Sequence, residues 1–200
     1  MSSVAALLLA AGSSSRMKGR DKLMEEVRGQ PLIADRITCL KEAGLAEIIV
    51  VLRDDRPARR AAINQHNDLT LLDARAPDDG MGSSIAEGAK AIRTDCTAAL
   101  ILPADMPGLT ASDIQTFLTA HGRIPEAILR GATPDGQPGH PVLFPQKHVI
   151  ELKDLSGDTG ARSVLKRHQE EVQLIEIPGD NAILDLDTPE AWAAWRGRHV

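Results

Sequence analysis

The strongest constraint on this chain is a set of short, unbroken apolar runs. Val4 to Ala11, Glu47 to Leu52 and Ala98 to Leu102 are built almost wholly from Val, Ile, Leu and Ala. A strand with one face in water alternates polar and apolar side chains, whereas a strand covered on both faces reads as a continuous apolar run. Leu69 to Leu72 is a shorter candidate of the same kind. Helical segments fall between the runs. Ile33, Ile37 and Leu40 follow the spacing of one helix face behind Pro31, with Gly44 as its stop. Pro57 to His66 predicts a short helix, Ser83-Ser84 the entry to one ending near Arg93, and Thr110 with Asp113 the capped start of another. Strand and helix thus alternate four times. That order predicts an α/β fold with a parallel sheet covered on both faces, whose ligands bind at the carboxyl ends of the strands.

Beyond Ile124 the pattern is less regular. Ala127 to Leu129, Pro141 to Phe144, Val172 to Ile177 and Ile183 to Leu186 read as strands, with helices from Gln146 and over Arg162 to His168. Asp187 or Thr188 caps a final helix that has Pro189 in its first turn and Trp192 and Trp195 on one face. No repeat or linker divides the 200 residues, a length suited to one well-buried domain. A net charge of −5 and a pI near 5.7 argue against a general nucleic-acid binder. With two Trp, two Phe and no Tyr, base-stacking platforms are equally disfavoured. Cys39 and Cys96 lack C-x-x-C spacing and read as reduced, buried thiols. The N-terminal run has no basic segment before it and is far shorter than a membrane span, which predicts a core strand in a cytoplasmic protein with no membrane partner.

Chemistry concentrates where the strands end. Val4 to Ala11 breaks into Gly12 and Ser13 to Ser15, then delivers Arg16, Lys18, Arg20 and Lys22. Small residues let backbone N–H groups approach an anion and the cations add charge, so the loop suits a polyphosphate; a solvated basic loop is the alternative. Neither G-x-x-x-x-G-K-[ST] nor G-x-G-x-x-G is present. Asp105 closes the Ala98 run between Pro103 and Pro107, where it serves either as a ligand for a hard cation or as a loop cap. Asp185 and Asp187 carry the same two readings. Ser83 and Ser84 suit either contacts to a nucleotide or helix capping. His140, between Gly139 and Pro141, is either an acceptor contact or structural, and Asp158 with Arg162 either an acceptor-phosphate site or an ordinary helix start.

Together these blocks resemble one family. LLLAAGSSSRMKGRDKL is similar to the signature L-x-A-A-G-x-S-x-R-M-G-x-x-x-K of sugar-nucleotide-type nucleotidyltransferases, and DDGMGSSI, LPADMP, GQPGHPVLF, LSGDTGAR and LDLDTPE resemble the molybdenum-cofactor cytidylyltransferase branch. The resemblance covers about Leu7 to Glu190. It implies a Rossmann-like three-layer α/β/α sandwich forming a single domain, with residues 1–122 as the nucleotide-binding half and 123–200 as the acceptor-binding half and closing helix. It implies transfer of a nucleoside monophosphate, CMP from CTP, to a phosphorylated acceptor, molybdopterin, with release of pyrophosphate. Ala10, Ala11, Gly12, Ser13, Ser14, Arg16 and Lys22 would bind the triphosphate, and Gly82, Ser83 and Ser84 the base. Asp105 and Asp187, with Asp185 beside them, would hold Mg²⁺ or Mn²⁺; Arg16, Lys22 and Asp105 would carry catalysis, and His140, Asp158 and Arg162 the acceptor. A molybdoenzyme or its chaperone would receive the product. Transfer to another phosphorylated small molecule, or a non-catalytic role in cofactor delivery, remain as alternatives. One position departs from the pattern: Lys18 stands where the family usually has glycine.

Overall fold

The computed structural model describes residues 3–75 and 78–199. In chain order it contains β1 (Val4–Leu9), β2 (Glu26–Val27), β3 (Gln30–Pro31), α1 (Leu32–Ala43), β4 (Glu47–Leu52), α2 (Pro57–Ile63), β5 (Thr70–Asp73), α3 (Met81–Ala91), β6 (Ala98–Pro103) and α4 (Ala111–Arg123). Then follow β7 (Ile128–Ala132), β8 (Pro138–Pro145), α5 (Gln146–Leu152), α6 (Arg162–Arg167), β9 (Val172–Glu176) and α7 (Pro189–His199). Seven strands form one sheet in the order β5-β4-β1-β6-β8-β7-β9. Only β8 runs against the others; it pairs antiparallel with both β6 and β7.

The continuous apolar runs are explained by two cores, one on each face. In β1, Val4, Ala6 and Leu8 enter the core shared with α1, α4 and α7, while Ala5 and Leu7 enter the core under α3 and α5. β6 divides the same way, Ala98, Leu100 and Leu102 to the first and Ala99 and Ile101 to the second. Gly88 lets α3 lie close against β1, since a Cβ there would stand 3.2 Å from the Leu7 side chain. The Thr110–Asp113 capping box forms as expected, and Gly44, at φ 88°, ends α1. Cys39 and Cys96 are buried free thiols. Among the described residues no helix is long and apolar enough to cross a membrane.

Two expectations need correction. Ile183 to Leu186 is not a strand but a turn followed by irregular chain. The N–H groups of Ile183 and Leu184 bond back to Asp180 O, and the Leu186 N–H reaches Asp105 O, so the segment crosses the strand ends instead of pairing along one. The second concerns α3, which starts at Met81 with Gly80 in the cap position, so neither Ser83 nor Ser84 caps it. Pro77, expected in the preceding loop, lies outside the described residues.

The chain passes outward from β1 through β4 to β5, then returns to place β6 on the other side of β1. This reversal opens a crevice where the loops after β1 and β6 diverge. Arg59 of α2 secures the first loop from behind. It is fully buried, donates to Ala10 O at 2.6 Å and Ser14 Oγ at 3.1 Å, and forks onto Asp21 at 2.8 Å. Burial on its own would raise the Asp21 carboxyl, but the Arg59 bonds and charge outweigh it and hold the group below its ordinary 3.8. A carboxyl lowered on folding contributes stability above its ordinary value and loses it as pH falls through the folded value. Arg59→Ala strands the Asp21 charge and should cost about 3 kcal/mol or more at pH 7 by denaturant unfolding. Much of the difference from wild type should vanish once Asp21 is protonated in acid.

Candidate active site

Three arginines hold the carbonyls of the first loop. Besides the bond from Arg59 to Ala10, Arg53 donates to Ala11 O at 3.2 Å and Arg56 to Ser13 O at 2.9 Å. Ser14 adopts a left-handed conformation, φ 55°, and its hydroxyl donates to Asp21 while accepting from the Lys22 N–H. With the carbonyls tied back, the N–H groups of Gly12, Ser13 and Ser14 have no protein acceptor among the described residues. That is the arrangement an anion cradle needs.

Lys18 explains its own departure from the family pattern. It too is left-handed, φ 52°, in the conformation that favours glycine. Its ammonium pairs with Glu190 at the start of α7. This contact links the loop to the last helix.

Opposite the loop, three carboxylates converge. Asp105 follows β6, while Asp185 and Asp187 lie on the segment that crosses the strand ends. One oxygen from each lies within 4.8 Å of the others, an arrangement that could hold a metal ion. Lys22 Nζ donates to Asp105 and Asp187, each at 2.5 Å, and Arg16 pairs with Asp187. Burial would lower the Lys22 ammonium, but the charges and hydrogen bonds of Asp105 and Asp187 outweigh it and raise the group. Asp185 has no such bond; burial first, then the charges of Asp187 and Asp105, push its carboxyl above the ordinary value. Arg36, fully buried in α1, donates to Met106 O at 3.0 Å and Leu109 O at 2.6 Å, fixing the backbone just beyond Asp105.

The crevice has two lobes. One, of about 380 Å³, is lined by Ala11, Gly12, Arg16, Lys22, Ser84 and Asp187 among others. The second, of about 340 Å³, contains Arg130, His140, Arg162 and the apolar Ile101, Val142 and Leu165. Asp105, Asp158 and Asp185 line both. These volumes suit small ligands. Of the sequence candidates, Ala10, Ser13, Ser14, Gly82 and Ser83 are not among the residues that line the first lobe. Gly82 is packed against the turn that carries Asp158: its N–H bonds Gly157 O at 2.8 Å, and a Cβ would stand 2.6 Å from Ser156 O. Ser83 Oγ reaches back to Asp79 O.

His140 is half-buried, and its buried Nδ1 has no partner among the described residues; desolvation first, then Arg130, lowers the ring to about 4, so it is neutral at pH 7. Arg130 was absent from the sequence candidates. Among the described residues its guanidinium donates from Nε to Gly139 O at 3.2 Å, and burial and the Arg162 charge lower its pKa. Among the described residues neither Arg130 nor Arg162 has a carboxylate ion-pair partner, which leaves two cations facing the second lobe. The signal available in the sequence was a charged residue inside an apolar strand, Ile128–Ala132.

An ionised Asp185 costs folding free energy above its raised folded value. Below the ordinary 3.8 it is protonated in both states and that cost disappears. Asp185→Asn should therefore raise the Tm of the metal-free protein at pH 7, with the gain fading in a pH series that ends below 3.8.

Comparison with known proteins agrees with this geometry. A model of the MobA-like NTP transferase domain matches residues 6–172. Nicotine blue oxidoreductase of Paenarthrobacter nicotinovorans is 29% identical over 94% of this chain and 93% of its own length. A molybdenum cofactor guanylyltransferase of Xanthomonas euvesicatoria pv. vesicatoria is 34% identical over 53% of this chain and 49% of its length. The chain spans 36% of the length of a GlmU protein from Geotalea daltonii. Rv0371c of Mycobacterium tuberculosis superposes with a TM-score of 0.84 at 21% identity, covering 97% of both chains, and has also been solved in complex with manganese. The chain belongs to the MobA-like NTP transferase domain family, on whose fold the carboxylate cluster and the two-lobed crevice sit.

Proposed function

We propose that the protein transfers CMP from CTP to molybdopterin, releasing pyrophosphate. The observation that carries this reading is the junction of Asp105, Asp185 and Asp187 between two lobes of different chemistry. The first offers free loop N–H groups with Arg16 and Lys22, suited to a triphosphate. The second offers Arg130 and Arg162 without carboxylate partners beside apolar Ile101, Val142 and Leu165, suited to a phosphorylated acceptor with a flat ring system. On this reading residues 1–122 supply most of the nucleotide lobe and residues 123–200 most of the acceptor lobe.

An oxygen of the acceptor phosphate attacks the α-phosphorus, the bond from that phosphorus to the bridging β-oxygen breaks, and pyrophosphate leaves with the electron pair. The acceptor phosphate is already ionised, so no general base is required. What must be supplied is positive charge and in-line placement. Lys22 and Arg16 reach the first lobe from the loop, while Arg130 and Arg162 hold the acceptor across the junction. His140, neutral at pH 7, can offer a hydrogen bond to the acceptor without adding charge. Three carboxylates within 4.8 Å fit a hard divalent ion. Asp105 and Asp187, with Asp185, would hold Mg²⁺ or Mn²⁺, which supplies neutralisation of phosphate charge when bound. The manganese complex of Rv0371c supports the class of ion.

The Ala-Ala-Gly form of the first loop and Gly139-His140-Pro141 favour the cytidylyl branch, while the guanylyltransferase relative favours GTP as the competing nucleotide. Another phosphorylated acceptor, or cofactor delivery without catalysis, keeps the same crevice. The relative named as an oxidoreductase gives a redox reading, which the full set of Lys22, Arg16 and three carboxylates does not need.

Pyrophosphate release measured with each of the four NTPs, Mg²⁺ and molybdopterin distinguishes these. CTP should give the highest kcat/KM. Release with GTP alone would overturn the cytidylyl assignment, and release with none would favour delivery or redox chemistry. Lys22→Ala and Asp105→Asn should each lower turnover by about 100-fold or more, the scale of losing one group that stabilises transition-state charge.

A further inference from the structure

A second cluster of metal-ligating side chains lies at the opposite edge of the sheet. β8 ends at Pro145 beside Ala98, the start of β6, and β9 begins at Val172 beside Ile128, so the chain around 146 and 171 sits away from the crevice. Here α5, the end of α6 and the 3-10 turn Gln169–Glu171 bring together His148, His168 and Glu171. Their ligand atoms lie within 4.8 Å of one another.

We propose that His148 Nε2, His168 Nδ1 and the Glu171 carboxylate bind a divalent transition-metal ion of the Zn²⁺ class, with Glu151 orienting both imidazoles. His148 Nε2 is 3.2 Å from Glu171 Oε2, and His168 Nδ1 is 3.5 Å from Glu171 Oε1. Ligands bound tetrahedrally at roughly 2.0–2.1 Å stand about 3.3 Å apart, close to each of these two spacings, which run to the two oxygens of one carboxylate. The other ring nitrogens point elsewhere. His148 Nδ1 lies 3.2 Å and His168 Nε2 2.7 Å from the same oxygen, Glu151 Oε1. One carboxylate therefore fixes the tautomer of both rings, the outer-shell arrangement that prepares histidines for a metal. Arg167 pairs with Glu151, so that carboxylate brings no uncompensated charge. His148 is buried but His168 and Glu171 are part-exposed, which leaves a path in for the ion; Lys147, on Glu171 at 2.6 Å, is exposed and free to swing aside.

Two imidazoles and one carboxylate favour zinc-like ions over Mg²⁺, so the site differs in kind from the all-carboxylate cluster in the crevice. Its position suggests what it does. Residues 153–167 leave α5, carry Asp158 and Arg162 to the second lobe, and return to His168. An ion here clamps the two feet of that excursion.

The test uses the full-length protein stripped with a chelator and titrated with Co²⁺, whose tetrahedral nitrogen–oxygen complexes absorb strongly in the visible. A saturable tetrahedral spectrum, displaced by Zn²⁺, is expected. It should persist in Asp105→Asn, be lost in His168→Ala and Glu171→Gln, and show about tenfold weaker affinity in Glu151→Gln. His168 and Glu171 are part-exposed, so these variants remain informative where His148→Ala fails to fold. Absence of the spectrum in wild type, or its survival in both His168→Ala and Glu171→Gln, would overturn the proposal.

Discussion

The bridge from Lys22 to Asp105 and Asp187 is the contact on which the site depends. It joins three distant parts of the chain: the loop after β1, the end of β6 and the approach to α7. Three converging carboxylates repel one another, and that repulsion adds to desolvation, the larger cause, in raising the Asp185 carboxyl. The Lys22 ammonium bridges two of them, Asp105 and Asp187, and Arg16 adds a second cation on Asp187. The same ammonium stands next to the free N–H groups of the loop, where a triphosphate would need it. Neutralising the carboxylates and meeting the phosphate are therefore alternative uses of one cation, and a divalent ion at the carboxylates would release it for the second.

Around this bridge the cations divide into two groups. Arg36, Arg53 and Arg59 are buried, bonded to carbonyls and carboxylates, and act as struts. They hold the loops that carry Gly12 and Asp105 from behind, which turns the loop donors forward. Arg130 and Arg162 face the second lobe with no carboxylate ion-pair partner among the described residues. A buried guanidinium with full partners maintains shape, while half-buried Arg130 and exposed Arg162, without ion-pair partners among the described residues, are open to an anion. The division separates what builds the site from what the site offers to ligands.

Much of this was legible in the sequence because two-sided burial leaves a plain trace. β4 was delimited to the residue, Glu47 to Leu52, and the Thr110–Asp113 cap announced α4. Asp105 stood out as a carboxylate at a strand end between prolines. Ile183 to Leu186 misled because apolar side chains also cover the strand ends, and hydrophobicity does not distinguish a cover from a strand. Nothing in the sequence announces that Gly82 lies in α3, its missing side chain serving close packing against Ser156 and Gly157. Arg130 was missed because a charge in an apolar run marks a strand end unless a crevice is there to receive it. His148 with Glu151 and His168 with Glu171 each repeat an H-x-x-E spacing, but only the return of the chain from α6 brings the two pairs together.

The most direct test of the central claim is diffraction from crystals grown with Mn²⁺ and a non-hydrolysable CTP analogue, with anomalous signal locating the ion. The ion is expected among Asp105, Asp185 and Asp187, the triphosphate on the N–H groups from Gly12 to Ser14, and Lys22 Nζ moved from the carboxylates to a phosphate oxygen. An ion elsewhere with Lys22 still bridging Asp105 and Asp187, or a triphosphate bound away from the first loop, would contradict it.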